Sequence, residues 1–151
     1  MKIAKIILII VLLLLIFQVY KNMKIPNTVG VIDGNFKALK DSPNGISSQA
    51  KDPEFKVPPL TMKAANKNRD KDQIKNLVLS YEGTKLIAEK DRYLHFIFTS
   101  QIFHFNDDVE FYFDTRRGTI EIKSQSRIGH SDLGANRERY DKIAEDYGGM
   151  K

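Results

Sequence analysis

His130, Ser131 and Asp132 stand side by side within SRIGHSDLGANRERY, residues 126–140. These are the residue types of a hydrolase's base, nucleophile and orienting acid. Such a triad works because its members converge from different directions. Consecutive residues diverge: they alternate faces on a strand and sit about 100° apart on a helix. The three therefore cannot form a triad among themselves, and Ser131 lacks the GxSxG elbow of a hydrolase nucleophile. The stretch reads instead as a helix start, with Asp132 or Ser131 as the N-cap.

Other chemistry-bearing residues are no better arranged. The histidines are His95, His104 and His130, with neither the H-x-x-x-H nor the H-x-H spacing that sets two imidazoles on one metal. Asp107, Asp108 and Glu110 lack the spacing and glycine of a calcium loop. Ion pairs with Arg127, Arg137 or Arg139 are their expected fate. Glu110 and Glu121 read either as paired carboxylates or as cross-strand partners of Lys123 and His95. There is no glycine-rich phosphate loop, and there are no cysteines for a thiol nucleophile or thiolate metal site. The sequence thus implies no catalytic set, no cofactor and no metal.

The elements that would position these residues are legible from polarity. Leu94, Phe96 and Phe98 alternate with Tyr93, His95, Ile97 and Thr99. Val109, Phe111 and Phe113 alternate with Glu110, Tyr112 and Asp114, and Ile120 and Ile122 with Thr119, Glu121 and Lys123. Period two of this kind marks strands with one buried face. With TKLIAEK, residues 84–90, they make four consecutive strands, most simply an antiparallel meander. Ile74, Leu77, Val78 and Tyr81 share one helical face, with Asp70 or Asp72 able to cap it and Gly83 to end it. A last helix is expected over 133–147, and a short one near Phe36–Leu39. The two prolines of FKVPPLTM confine a strand there to a sheet edge or a strand end.

Residues 3–20, IAKIILIIVLLLLIFQVY, would span about 27 Å as a helix, close to a bilayer's apolar thickness of about 30 Å. The strictly apolar run Ile6–Phe17 also has the length of a signal peptide's core. The following QVYKNMKIP lacks the small residues of a cleavage site, which favours an uncleaved anchor over a cleaved signal. Lys2, Lys5 and the terminal amine favour a cytoplasmic N-terminus. Either reading puts the rest of the chain outside the cytoplasm, as a membrane-held or a secreted or periplasmic domain.

Four lysines, at 2, 5, 21 and 24, flank this segment. Without them 20 of the 24 basic residues face 19 acidic ones, so the rest of the chain has almost no net charge. Nucleic-acid binders concentrate basic charge on one face. The nearest cluster, Lys63, Lys67, Arg69, Lys71 and Lys75, is interleaved with Asp70 and Asp72, so no nucleic-acid partner is expected.

Three stretches together resemble the DUF1499 family, a domain family of unknown function. They are DSPNGISSQAKD (41–52), TSQIFHFNDDVEFYFD (99–114) and IEIKSQSRIGHSDLGANRERYDKI (120–143). The likeness runs over about residues 30–147. It marks Asp107, Asp108, Glu110, Arg127, Ser131, Asp132, Asn136 and Arg139 as matching the family signature. The family pattern has a cysteine where this chain has Gly45, so no role for that thiol carries over. The resemblance implies no activity or cofactor.

The expected organisation is an anchor or signal segment over 1–22, a tether and wrapping segment over 23–56, and an α+β domain over 57–151. The domain should hold a four- to five-stranded antiparallel sheet with two helices on one face, in the order strand, helix, four strands, helix. That order resembles a TBP-like arrangement, a likeness of topology alone. The other sheet face should be open, with Tyr93, His95, Glu110, Tyr112 and Lys123 as its ligand surface. The leading functional expectation is a membrane-anchored extracytoplasmic binding module, without catalysis, for an envelope protein or small ligand. A cell-envelope hydrolase using carboxylates and a structural scaffold of an envelope complex are the alternatives.

Overall fold

A computed structural model of the chain describes residues 2–40, 42–63 and 67–150. Asp41, from the first family stretch, and the side chains of Lys2 and Lys67 lie outside the described residues.

The fold is α+β, with antiparallel sheets and three helices among the described residues. Helix α1, Lys2–Met23, is apolar all round over its hydrocarbon-length core and exposed from Ile3 to Lys21, meeting the domain only at its last turn. At about 1.5 Å per residue its 22 residues reach about 33 Å. It is long and apolar enough to cross a membrane.

Strands β1 (Val31–Ile32) and β2 (Asn35–Phe36) pair as a small hairpin. Asp33 and Gly34 form its turn with φ of 51° and 82°. Two left-handed residues are what a type I′ hairpin turn needs, and Asp-Gly supplies them readily. The helix expected near Phe36–Leu39 is therefore absent: the turn commits Phe36 to a strand. The chain continues through β3 (Gly45–Ser47), a short 3-10 turn at Pro53–Phe55, and β4 (Leu60–Thr61).

Helix α2 spans Lys67–Leu79. Asp70 and Asp72, expected as caps, lie inside it. Asp70 is fully buried and accepts bonds from the Lys63 amide and the Tyr147 hydroxyl. Gly83 lies beyond the helix at the start of the meander, where its main-chain oxygen accepts from the Thr99 amide. The meander itself comprises β5 (Thr84–Lys90), β6 (Tyr93–Thr99), β7 (Asn106–Asp114) and β8 (Thr119–Ser126). A bulge at Ile87 shifts the β5–β6 register.

The main sheet has six strands rather than four or five, in the order β3-β8-β7-β6-β5, with β4 also on β8. β3 pairs with Lys123–Gln125 and β4 with Thr119–Ile120, so two short strands share the β8 edge. Helix α3, Ala135–Gly149, closes the chain. Ile74, Leu77 and Val78 of α2 and Tyr140, Ile143 and Tyr147 of α3 pack with Leu94, Phe96, Phe111, Phe113, Ile120 and Ile122 in one core. Both helices therefore cover the same sheet face.

α3 starts two residues later than expected, and its N-cap is Gly134, not Asp132 or Ser131. Leu133 (φ 53°) and Gly134 (φ 88°) are both left-handed, which delays the helix. Asp132 still reaches forward: its carboxylate accepts from the main-chain N–H groups of Asn136 at 2.9 Å and Gly134 at 3.3 Å.

Candidate functional site

The sheet's second face is where the sequence placed a ligand surface. Alternation puts Tyr93 and His95 of β6, Asp108, Glu110 and Tyr112 of β7, and Glu121, Lys123 and Gln125 of β8 on this face. The register sets His95 against Glu110, and Glu110 against Lys123. The stripe is as expected, but its exposure is not. Glu110 is 0% exposed, Lys123 1%, His95 2%, and Tyr93 and Tyr112 9% each. The open face is corrected to a covered one. The polar segment from Asn22 to Lys37 lies over it and supplies backbone partners to the charges.

Asp108 is the first centre. His95 Nε2 and Arg127 Nη2 each lie 2.8 Å from its Oδ1, and Arg127 Nε donates to Oδ2 at 2.9 Å. Arg127 Nη1 then donates to the main-chain oxygens of Asn22 and Met23, both at 3.0 Å. Burial works against the charged Asp108 carboxylate. The bonds from His95 and Arg127 outweigh it and hold the carboxyl below its usual range.

Glu110 is the second centre. Its Oε1 accepts from the Tyr93 hydroxyl at 2.7 Å and from the Gly30 amide at 2.6 Å. Its Oε2 faces Lys123 Nζ at 3.1 Å. Lys123 also donates to the main-chain oxygens of Thr28 and Lys37. Burial, then the neighbouring Glu110, pushes the Tyr93 hydroxyl up, so it stays a neutral donor. Glu121 is held by the Ser48 hydroxyl at 2.6 Å and by Arg117 at 3.2 Å. The gap lined by Pro26, Thr28, Val29, Asp108 and Gln125 is too narrow to admit a water molecule.

Asp107, Asp132, Asn136 and Arg139 meet on the helix face. Asp107 and Asp108 are neighbours on one strand, so they point through opposite sides of the sheet. Asp107 pairs with Arg139 at 2.7 Å. Asn136 is a buried hub: its amide donates to the Asn44 main-chain oxygen (3.0 Å), Ser126 Oγ (3.1 Å) and Asp132 (2.7 Å). Its oxygen accepts from Ser124 Oγ and from Arg139 at 2.6 Å. Of the three arginines expected to pair with the acids, Arg127 and Arg139 do. Arg137 donates to the Glu54 main-chain oxygen instead.

His130 and Ser131 are exposed, and the Ser131 hydroxyl accepts the local Leu133 amide. His104 is exposed on the β6–β7 loop, away from the carboxylates. Among the described residues, no group of three or more His, Asp or Glu converges as metal ligands would. Sequence reasoning missed Asn22, Thr28, Gly30, Lys37 and Ser48 as partners. Most of them contribute backbone atoms, which carry no residue-type signal.

A family model described as "Protein of unknown function (DUF1499)" matches residues 35–146 of the 151. The chain belongs to this DUF1499 family. The match includes the whole main sheet, α2 and most of α3, and therefore every charged residue of both centres. Asn22, Met23, Thr28 and Gly30, which those charges grip, precede the DUF1499 match. No curated protein and no solved structure matches the chain.

Proposed function

We propose that the protein is a membrane-anchored extracytoplasmic binding module that performs no catalysis. α1 is the anchor, and the lysines at its start favour a cytoplasmic N-terminus. Buried charges that are fully paired fix geometry more than they add stability. The Asp108 and Glu110 centres therefore act as a clamp that seats the segment following α1 on the sheet. His95 and Asp108 have the residue types of a catalytic pair, but among the described residues they are buried beneath that segment, at 2% and 3% exposure. This argues against the hydrolase reading.

The observation that carries a binding role is a cleft between the covering segment and the residues that follow it, up to Phe55. It is a half-open cleft of about 730 Å³, and its mostly apolar lining includes Phe36, Leu39, Pro43 and Phe55, with Lys37, Lys51 and Asp52 among them. That is the usual size and character of a small-molecule site. Lys51 suits a ligand with an apolar body and an anionic head, the Lys37 ammonium being bonded already to the Asn27 main-chain oxygen at 3.0 Å. Natural tryptophan is absent from the chain. In the full chain in nanodiscs, Phe36→Trp emission should shift saturably on titration with octanoate, and an added Leu39→Asp should abolish the shift. A response that is linear in octanoate, or unchanged by Leu39→Asp, overturns the cleft.

A further inference from the structure

We infer that the β6–β7 loop, Ser100–Phe105, enters the membrane surface beside α1 as a second point of attachment. The inference rests on the anchor reading above and adds a lipid-contacting site to it. The loop presents Ile102 at 80% exposure, Phe103 at 70% and Phe105 at 46%. Clustered apolar side chains of this kind on a soluble surface mark a contact with something apolar.

The loop is built to hold them outward. The Ser100 amide donates to the Phe105 oxygen (2.9 Å), the His104 amide to the Ser100 oxygen (3.1 Å), and the Phe105 amide to Ser100 Oγ (2.9 Å). The Phe103 and Phe105 rings stack with centroids 5.4 Å apart. Three main-chain amides of the loop are thus bonded within it, while its apolar side chains face outward.

Position names the occupant. Asn22, in the last turn of α1, donates to the His104 main-chain oxygen at 2.7 Å. It also accepts from the Asn106 amide at 2.7 Å and from the Asn106 side chain at 3.0 Å. A helix of this length leaves the hydrocarbon at about that turn. The loop is therefore bonded to the residue that lies at the membrane surface, where aromatic side chains are favoured. Met23 (72% exposed) and Ile25 (45%) continue the apolar surface at the same junction. The bonds of Arg127 and Asn22 fix the domain to the end of α1, and a second membrane contact fixes how its cleft faces the bilayer.

The test is tryptophan quenching in the full chain, reconstituted in phosphatidylcholine vesicles carrying bromine on the acyl chains. Three single reporters are compared: Phe103→Trp in the loop, Leu12→Trp in mid-helix, and Thr115→Trp at the exposed turn at the other end of β7. Leu12→Trp should be quenched best by deep bromines. Phe103→Trp should be quenched best by shallow bromines, and severalfold more than Thr115→Trp. If Phe103→Trp is no more quenched than Thr115→Trp while Leu12→Trp is quenched, the loop inference is overturned and the anchor stands. If Leu12→Trp is not quenched, the anchor reading falls and this inference with it.

Discussion

Arg127 Nη1 lies 3.0 Å from the main-chain oxygen of Asn22, 105 positions earlier in the chain. The same guanidinium is locked by two bonds to buried Asp108. One arginine thus joins the last turn of an apolar helix to the sheet interior. The geometry uses what distinguishes arginine from lysine, a planar fork with donors in several directions. Positive charge at a helix C-terminus is also favoured by the helix dipole.

The clamp should be intolerant of single breaks. Arg127→Met leaves Asp108 buried with His95 alone and takes a donor from the Asn22 and Met23 carbonyls, of which only Asn22 keeps another, the Asn106 side chain. The expected cost is roughly 3–5 kcal/mol in denaturant unfolding of the full chain in detergent. Asp108→Ala combined with Arg127→Met should cost less than the sum of the singles. An Arg127→Met protein as stable as the parent would show that the contact does not hold in solution.

Acid should loosen the same centre. The folded Asp108 carboxyl titrates below the ordinary aspartate value. Its contribution is therefore fully present above that value, about 3.9, and is lost as pH falls through the depressed folded one. Midpoints measured from neutral pH down to about 3 should fall at the acid end, and Asp108→Asn should flatten that limb. An identical acid limb in Asp108→Asn would assign the loss to other carboxylates.

Two glycines with similar backbone angles should respond differently to alanine. Gly83 has φ 73°, and a Cβ there would run into the main-chain oxygen of Thr99. Gly118 has φ 64° and open space around it. Gly118→Ala should cost about 1 kcal/mol, the left-handed penalty alone. Gly83→Ala should cost clearly more, since backbone must move as well. Equal melting temperatures for the two variants would contradict the packing at the β5 start.

The signature turn should separate its residues by thermal unfolding. Asp132→Ala should cost about 1 kcal/mol, since it serves an orphan amide of α3 as a cap does. Asn136→Ala strands several buried polar groups and should cost roughly 1–3 kcal/mol. Ser131→Ala, at an exposed hydroxyl with one local bond, should change stability little. A ranking with Ser131→Ala worst would contradict the hub.

How much of this was legible follows from where the signals lie. The meander and α2 could be read because each element carries its own polarity period: Leu94, Phe96 and Phe98 declare a buried face without reference to any partner. The same alternation could not say what covers the other face. Tyr93, His95, Glu110 and Lys123 look alike whether water or the chain's own backbone solvates them. Their partners Gly30 and Thr28 are 80 and 95 residues away and act through main-chain atoms. The split between Asp107 and Asp108 was implicit in strand geometry, but which helix or segment met each was not. The α3 start was misplaced because Leu133 adopts a left-handed angle uncommon for its type, so Asp132 serves the helix from outside it.

The central claim is that the polar sheet face is a sealed clamp rather than a ligand surface. Amide hydrogen exchange at Gly30 tests it most directly, because that N–H is bonded to buried Glu110 at 2.6 Å. In the full chain in nanodiscs, Gly30 should exchange nearly as slowly as the amides of β7. Lys123→Met should speed it by orders of magnitude while the α2 and α3 amides remain protected. Fast Gly30 exchange in the unaltered protein would contradict the account, because the covering segment would then be open to water.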